Sequence, residues 1–323
     1  MKLGRLLVLL LTSFIVCSLL VVGVPAGCRW SELDPAATRA TAVTVRELRP
    51  PSGTLALPLR QGSVRFAVIG DSGRGDRWQH EVARQMVAWH ARFPFDFVLM
   101  LGDNIYDGND TSDYRAKFEE PYRPLLDAGV VFHASIGNHD DPSQIHYAPF
   151  NMGGRRYYTF RRSERRLAGL AGAGVRFFAL DSRSLDPDQI AWLREELAQS
   201  GSAWKIVFFH HPLYTSGRYR GGARALRLPL EPVLVEGDVD VVLSGHEHFY
   251  ERLQPQHGIS YFISGAAGSL RRGDLRPSTI HARGFDRDYH FMLMEVAGDE
   301  LYFQAVSRTG DTVDAGVISR PRR

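Results

Sequence analysis

The chain has 323 residues, 23% of them charged, and a formal net charge of only +3. This length suits one domain of about 250 residues with additional segments. The small, interspersed charge gives no support for a nucleic-acid-binding module. Two cysteines are too few to predict a disulfide-stabilised fold.

The N-terminal segment has the pattern of a targeting sequence rather than of a folded domain. Lys2 and Arg5 precede an uncharged apolar stretch over residues 6–24, and the next charge is at Arg29. The stretch is long for a cleaved signal and just long enough to cross a bilayer, which takes about 20 residues. The basic residues favour an exported remainder. Residues 1–28 are therefore predicted to be a signal peptide or a membrane anchor.

The position of Cys28 leaves three fates open for this segment. Small residues precede Cys28, which resembles a bacterial lipoprotein processing site, although Pro25 stands where leucine is usual. We therefore expect lipidation of Cys28, cleavage, or retention as an anchor, and an extracytoplasmic protein in each case. It would be periplasmic or at the cell surface and tethered to the membrane, or secreted if the signal is cleaved. The sequence does not indicate an oligomeric state.

The rest of the chain is predicted to contain a linker and one domain. Residues 29–62 hold four prolines and no lasting period, which is typical of a linker and lead-in. Residues 63–318 are predicted to be the one large folded domain. No cysteine follows residue 28, so this domain has no thiolate metal ligand.

The first part of the domain alternates apolar runs with helical spacing. Short apolar runs predict strands over residues 65–70, 97–102 and 130–137, and helices are expected over 81–93 and 113–127. A strand, a helix and a further strand in this order predict a βαβ unit.

The second part continues the pattern and then changes. A helix is predicted from Asp186 and Pro187 to Gly201, while residues 215–227 are predicted to be an Arg- and Gly-rich loop. Four runs joined by short turns predict an antiparallel meander at the end of the chain. Together the two parts predict an α/β fold with two packed sheets and helices outside. The additional predicted strands cover residues 175–180, 205–209, 239–245, 259–264, 289–296, 300–306 and 312–318.

Five of the apolar runs end in side chains that can bind a metal. Four of them carry glycine immediately before the polar residue, which allows a sharp turn and a close approach. In open α/β sheets, ligands bind at the carboxyl ends of strands, so these residues are expected to meet at one edge. Carboxylate and phenol oxygens suit a highly charged ion. The polar residues are Asp71, Asp103 with Tyr106, Asn138 with His139, His210 with His211, and His246 with His248.

Taken in order, the five motifs resemble those of the calcineurin-like metallophosphoesterases, and the tyrosine narrows the resemblance to the purple acid phosphatase branch. The resemblance covers roughly residues 63–318 and is specific because all five motifs are present. The motifs read GDSG from Gly70, GDNIY from Gly102, GNHD from Gly137, VFFH from Val207 and GHEHFYER from Gly245.

The resemblance implies an α/β/β/α sandwich that holds two metal ions. Asp103 would bridge the ions and His139 would contact the substrate phosphate or protonate the leaving group. It further implies a ferric ion on Asp71, Tyr106 and His248, and a divalent iron, zinc or manganese ion on Asn138, His210 and His246.

The chemistry of the donors agrees with this assignment. Two metals about 3.5–4 Å apart clamp the attacking and leaving oxygens of a phosphoester and lower the pKa of bound water. A phenolate favours Fe(III), whereas imidazole and amide donors suit a divalent ion. His210 is preferred over its neighbour His211 because the family histidine stands two residues before a proline, here Pro212.

The implied function is hydrolysis of phosphomonoesters by direct attack of metal-bound water or hydroxide, as in an acid phosphatase. A phosphodiesterase acting on nucleotides or phospholipid head groups could use the same ligands. A non-catalytic metal- or phosphate-binding surface protein is a third alternative. One departure affects substrate contacts: Arg218, Tyr219 and Arg220 stand where some members carry a further histidine, and an arginine there could bind phosphate or lie in a solvated loop.

Overall fold

The computed structural model describes residues 43–163, 174–201 and 203–320. Within these ranges the strands form two sheets of seven strands each. Residues 1–28, with the predicted signal or anchor, lie outside the described residues. No helix in the described ranges is long and apolar enough to cross a membrane.

The first sheet has the strand order β1-β14-β13-β12-β2-β3-β4. The strands β2, β3 and β4 are parallel, and the remaining pairs are antiparallel. Their bounds are β1 Thr44–Glu47, β2 Val64–Ile69, β3 Phe97–Leu101, β4 Val131–Ser135, β12 His290–Ala297, β13 Glu300–Ser307 and β14 Thr312–Ser319.

The second sheet has the order β11-β9-β10-β8-β7-β6-β5. Here β6, β7, β8 and β10 are parallel, while β5, β9 and β11 pair antiparallel with their neighbours. The strands are β5 Tyr158–Arg162, β6 Val175–Ala179, β7 Trp204–Phe209, β8 Val241–Ser244, β9 Tyr250–Leu253, β10 Ser260–Ser264 and β11 His281–Phe285.

Five helices and three shorter helical turns connect the strands in the described ranges. A π-helical turn over Arg115–Glu119 joins the second helix to the third, and two 3₁₀ turns cover Pro142–His146 and Ala148–Phe150. The helices are α1 Arg77–His90, α2 Thr111–Tyr114, α3 Glu120–Asp127, α4 Pro187–Ala198 and α5 Arg220–Glu236.

The two sheets pack face to face, and the helices cover their outer faces. Between the sheets, the rings of Phe66 and Phe177 lie 5.3 Å apart and are roughly perpendicular. Strand β7 shows the alternation that this arrangement requires. Its Phe208 belongs to the core between the sheets, whereas Val207 packs in a separate cluster with Leu193 of α4 and other helix residues. The predicted α/β/β/α sandwich is therefore confirmed.

The lead-in segment is part of the fold, which corrects the predicted linker for residues 44–62. Strand β1 pairs along the edge of β14. Two buried side chains then hold the connection to β2: Gln304 accepts the backbone N–H of Ala56 at 2.8 Å, and Glu295 accepts that of Leu59 at 2.9 Å. Prolines in this segment limit regular structure, but side-chain acceptors satisfy its backbone.

Two other predicted elements differ from the structure. Helix α5 begins at Arg220, inside the predicted loop over residues 215–227, because its later turns bury Leu230 and Leu234. The run at residues 259–264 does not join the terminal meander. It forms β10, which pairs parallel with β8 in the second sheet, and the meander consists of β12, β13 and β14.

Candidate metal centre

The carboxyl ends of five strands converge where the two sheets meet. In the first sheet, Asp71, Asp103 and Asn138 follow β2, β3 and β4, and in the second, His210 and His246 follow β7 and β8. These strands are parallel within each sheet, so their ends lie at one edge. Seven predicted ligands come together there in two adjoining groups.

The first group contains Asp71, Tyr106 and His248. The Tyr106 hydroxyl oxygen lies 3.3 Å from Asp71 Oδ1 and 3.3 Å from His248 Nε2. The same His248 nitrogen is 3.1 Å from Asp71 Oδ1. The three side chains are buried. A carboxylate, a phenol and an imidazole thus present their donor atoms to one small volume.

The second group contains Asn138, His210 and His246. The Nε2 atom of His210 lies 3.0 Å from Asn138 Oδ1 and 3.1 Å from His246 Nδ1. His210 is fully buried, whereas Asn138 is exposed, so this group borders solvent.

Asp103 adjoins both groups. Its Oδ1 atom lies 3.4 Å from His210 Nε2 and accepts the backbone N–H of His139 at 2.9 Å. A carboxylate oxygen of Asp103 also lies within 4.8 Å of the donor atoms of Asp71 and His248. Its Oδ2 atom is buried and makes no hydrogen bond with the described residues. A buried carboxylate oxygen without a donor is costly, and a bound cation would remove that cost.

The hydrogen bonding of His210 shows that acceptor atoms face one another in the second group. Its Nδ1 atom lies 2.9 Å from the carbonyl oxygen of Leu101, and a carbonyl only accepts. The proton of the neutral ring is therefore on Nδ1, and Nε2 points a lone pair at the Asn138 oxygen. An imidazole lone pair directed at an amide oxygen fits a metal ion, so these residues suit the group that the motifs imply.

Burial controls the charge of these side chains. Desolvation, with a smaller effect of Arg271, lowers the pKa of His248 to about 2, and desolvation and the neighbouring His210 lower that of His246 to about 2. Both rings are therefore neutral, as metal ligands must be. Burial and then the Asp103 charge raise the pKa of Asp71, and burial and the Asp71 charge raise that of Tyr106. A nearby metal cation would favour ionisation of both groups.

Backbone conformation around the site explains the glycines of the motifs. Asp71, Asp103 and His246 have φ values of 55°, 52° and 66°, in the left-handed region that side chains rarely adopt. A Cβ atom on Gly245 would lie 2.5 Å from Asp71 Oδ2. The prediction that glycine permits a close approach is confirmed here, and such local strain is common at functional sites.

His139, the predicted catalytic residue, lies next to the first group. Its side chain is exposed, and its ring centroid lies 4.8 Å from that of Tyr106. The backbone N–H of His139 binds Asp103, so the ring is held at the mouth of the site. This position suits a contact with a substrate.

His211 also lies at this site. From the sequence, His210 was preferred as the ligand and the role of His211 was left open. Its ring lies 4.4 Å from that of His246, and its Nδ1 atom is 3.0 Å from the Ser182 hydroxyl. Its donor atom lies within 4.8 Å of those of His210 and His246. The hydroxyl of Ser182 can donate to Nδ1, which gives His211 a partner within the protein.

Two acidic residues of the last motif were not predicted to act near the site. Glu247 accepts the Thr215 hydroxyl at 3.0 Å and the Tyr219 backbone N–H at 3.1 Å. Glu251 accepts the backbone N–H of Ser216 at 2.9 Å. In the sequence, the only sign that these residues act near the site is that both lie in the motif that carries His246 and His248. They hold residues 215–219 against the site.

Comparison with known proteins places the chain in a family. The model of the calcineurin-like phosphoesterase family matches residues 64–250. Purple acid phosphatase 17 of Arabidopsis thaliana is 29% identical over 258 residues, which cover 69% of this chain and 73% of that protein. Tartrate-resistant acid phosphatase type 5 of Oryctolagus cuniculus is 26% identical over 275 residues, covering 73% of this chain and 82% of that protein.

A solved structure shares the fold. GAP50, described as the anchor in the inner membrane complex of Plasmodium, superposes with a TM-score of 0.71 at 18% identity, covering 81% of this chain and 90% of that one. The matched family region contains or adjoins every strand that carries a candidate ligand. The chain belongs to the calcineurin-like phosphoesterase family and, within it, to the purple acid phosphatase branch, so it is a phosphatase that hydrolyses phosphoesters with bound metal ions.

Proposed function

We propose that this phosphatase hydrolyses phosphomonoesters at a binuclear centre built from the two groups of donor atoms. The observation that carries the proposal is the buried, unpartnered Oδ2 atom of Asp103, which lies where one carboxylate can serve both groups. The relatives named as acid phosphatases support the same reading.

The donor sets support two different ions. Asp71, Tyr106 and His248 offer hard oxygen donors with one imidazole, which favours Fe(III). The other ion would be divalent iron, zinc or manganese. It would be held by Asn138, His210 and His246, and Asp103 would bridge the two ions. Ions bound there would lower the pKa of a water molecule and neutralise charge on the phosphoryl oxygens.

The chain's own residues would then orient the substrate and move a proton. His139 lies at the mouth of the site, where its exposed ring can donate a proton to the leaving oxygen. The Leu101 carbonyl fixes the ring orientation of His210, so its lone pair stays directed into the site. Water would attack phosphorus directly, with no covalent intermediate on the protein.

The experiment is a comparison of two substrates with one enzyme. Full-length protein, purified in detergent and without chelators, is assayed between pH 4 and 9 on an aryl phosphomonoester and the matching bis-aryl diester. We expect a monoester preference with an acidic optimum. A diester preference, or activity only at alkaline pH with added manganese, would instead favour a phosphodiesterase and contradict the ferric assignment.

A variant tests the centre itself. Asp103→Ala should lose detectable turnover of both esters and lose metal, measured by elemental analysis, because it removes the carboxylate that adjoins both groups. The exposed Asp127→Ala on α3 is the matched control and should keep both. Turnover retained by Asp103→Ala would contradict the two-metal proposal and leave room for the non-catalytic alternative.

We further propose that the protein is exported and tethered to the membrane. The support is the apolar stretch over residues 6–24 after Lys2 and Arg5, together with Cys28 after small residues. Lipidation, cleavage and retention remain the three alternatives for this segment. The fate of this segment does not affect the proposed hydrolysis, because every candidate ligand lies beyond residue 63.

A further inference from the structure

Among the described residues, four arginines lie on the segments around the two groups of donor atoms, and three of them have carboxylate partners. The sequence left open whether Arg218 or Arg220 binds phosphate or lies in a solvated loop, and in the structure Arg218 is bound to the buried Asp274. Arg271 forms no ion pair with any carboxylate in the described ranges. The three pairs are Arg74 with Asp107 at 3.7 Å, Arg183 with Asp181 at 3.0 Å and Arg218 with Asp274 at 2.6 Å.

Arg271 lies beside the turn that carries two candidate ligands. Its backbone N–H donates to the carbonyl oxygen of His248 at 3.0 Å, and its Nη1 atom lies 3.4 Å from that of His246. Burial is the main cause of the low pKa of His246 and of His248, and the charge of Arg271 contributes a smaller part. The charge of Arg271 therefore acts on the site. The guanidinium of Arg271 is half-buried beside these carbonyls, and its charge also reaches the carboxyl groups of Asp71 and Glu247. Since it forms no ion pair with either, it still has N–H groups to donate.

Tyr219 lies between Arg271 and the site. The guanidinium carbon of Arg271 is 5.3 Å from the centre of the Tyr219 ring, and that ring is 4.3 Å from the ring of His246. A cation over an aromatic face is held in place without losing its charge. Tyr219 is 37% exposed, so one part of it packs on the site and another faces solvent.

The segments that carry these two residues are fixed to each other. Glu247 holds the backbone of Tyr219, and the Arg218–Asp274 pair connects the 215–219 segment to the 271–274 segment. The aromatic ring and the guanidinium therefore form one wall of the site, prepared before any substrate binds. A prepared cation costs little to order on binding.

We propose that Arg271, positioned by Tyr219, binds a phosphoryl oxygen of the substrate and favours doubly charged phosphomonoesters over singly charged diesters. The inference rests on the proposed function, because it concerns selection between the two esters. A guanidinium donates two hydrogen bonds to phosphate oxygens in a fixed geometry. A diester has one fewer ionisable oxygen for that contact. The wall therefore discriminates between the two esters by charge.

The test replaces Arg271 with glutamine, which keeps similar length and polarity but removes the charge. At pH 7, where a phosphomonoester carries close to two negative charges, we expect KM for the aryl monoester to rise about 10- to 100-fold, the range for a charge-assisted hydrogen bond. The kcat/KM of the enzyme for the diester should change by less than about threefold, because a diester carries one negative charge where the monoester carries two. The Kd of inorganic phosphate, measured by calorimetry on the metal-loaded protein, should rise in parallel with the monoester KM.

Two further variants control for structure. Arg272→Gln removes the exposed neighbouring charge and should leave all three quantities unchanged. Arg271→Lys keeps the charge but not the planar fork, so phosphate affinity should lie between those of wild type and Arg271→Gln.

The proposal is overturned if Arg271→Gln lowers kcat/KM equally for the monoester and the diester, leaves the affinity for phosphate unchanged, or loses metal. The last result would mean that Arg271 only supports the turn at residues 246–248. If wild-type protein hydrolyses neither ester, the proposed function fails. The calorimetric comparison would then still decide whether Arg271 binds phosphate.

Discussion

Asp140 connects two loops that carry candidate ligands. Its Oδ1 atom accepts the backbone N–H groups of Asn104 at 2.7 Å and Ile105 at 3.0 Å. Its Oδ2 atom accepts the backbone N–H of Gly137 at 2.8 Å and the side-chain amide of Asn104 at 3.0 Å. The loop after β3 is thus bound to the loop after β4 through one buried carboxylate, which sets the spacing between Asp103 and Asn138.

Asp140→Asn should lower the free energy of unfolding by about 2–3 kcal/mol, because an amide nitrogen would face N–H donors that then lose their acceptor. The measurement is urea denaturation at pH 8, above the value of about 7 to which burial, chiefly, raises the pKa of Asp140. Asp141→Asn is the matched control. This exposed neighbour accepts the backbone N–H of Ser143 at 2.8 Å, and the side-chain oxygen of asparagine can do the same. Equal stability of the two variants would contradict the prediction.

At this scale, residues inside motifs were predictable and residues outside them were not. The seven donors and His139 each stand in a short pattern with an apolar run before it, so their convergence follows from parallel strands. Whether each donor binds metal stays a prediction. Arg271 has no such pattern. It reaches the site only because the chain after β10 folds back along the turn at residues 246–248, a contact that no local spacing encodes.

Among the elements, helix α5 shows where local propensity misleads. Gly221 and Gly222 lie in its first turn, and Pro229 and Pro232 lie inside it, which together favour a loop. The helix forms because it packs Leu230, Val233 and Leu234 in one cluster with α4 and the second sheet. Burial of apolar side chains outweighs poor intrinsic propensity here. The strands β3, β7 and β8 were predicted better because each is a largely apolar run buried on both faces. The polar or exposed strands β1 and β11 were not predicted.

Two glycines test this difference between local and structural requirements. Gly222 lacks a positive φ and a Cβ there would meet no atom within 4 Å, so Gly222→Ala should raise the free energy of unfolding by about 0.5–1 kcal/mol without changing activity. Gly245→Ala should lower activity and metal content, because its Cβ would lie 2.5 Å from Asp71 Oδ2.

Thermal denaturation and ester hydrolysis on the same preparations separate the two effects. A destabilised Gly222→Ala would show that the first turn of α5 is not helical as described. Normal turnover by Gly245→Ala would mean that the backbone there can shift away from Asp71.

For the whole molecule, the order of the predicted elements indicated two sheets with helices outside. It did not indicate which strands belong to each sheet or which strands are neighbours. Strand β1 pairs with β14, about the length of the whole domain away in sequence, and such pairing leaves no local signal. Strand β10 does not join the strands that follow it in the chain. It lies between β8, with which it is parallel, and β9, with which it is antiparallel, and all five of its residues are buried there. Topology was therefore decided by burial between distant segments rather than by the pattern within each.

The N-terminal segment gives the last prediction, at the scale of the protein in the cell. When the full-length chain is expressed in a bacterial host, we expect it in the membrane fraction, with the phosphatase domain accessible to protease added outside the cytoplasmic membrane. A variant without residues 1–28 should be found in the cytoplasm with the same turnover per bound metal, because no candidate ligand lies in that segment. The mass of the purified chain distinguishes the tethers: a chain that begins at Cys28 and carries added acyl groups indicates lipidation, and an unchanged full-length mass indicates an uncleaved anchor. Full-length protein that stays soluble and protease-protected in the cytoplasm would contradict export.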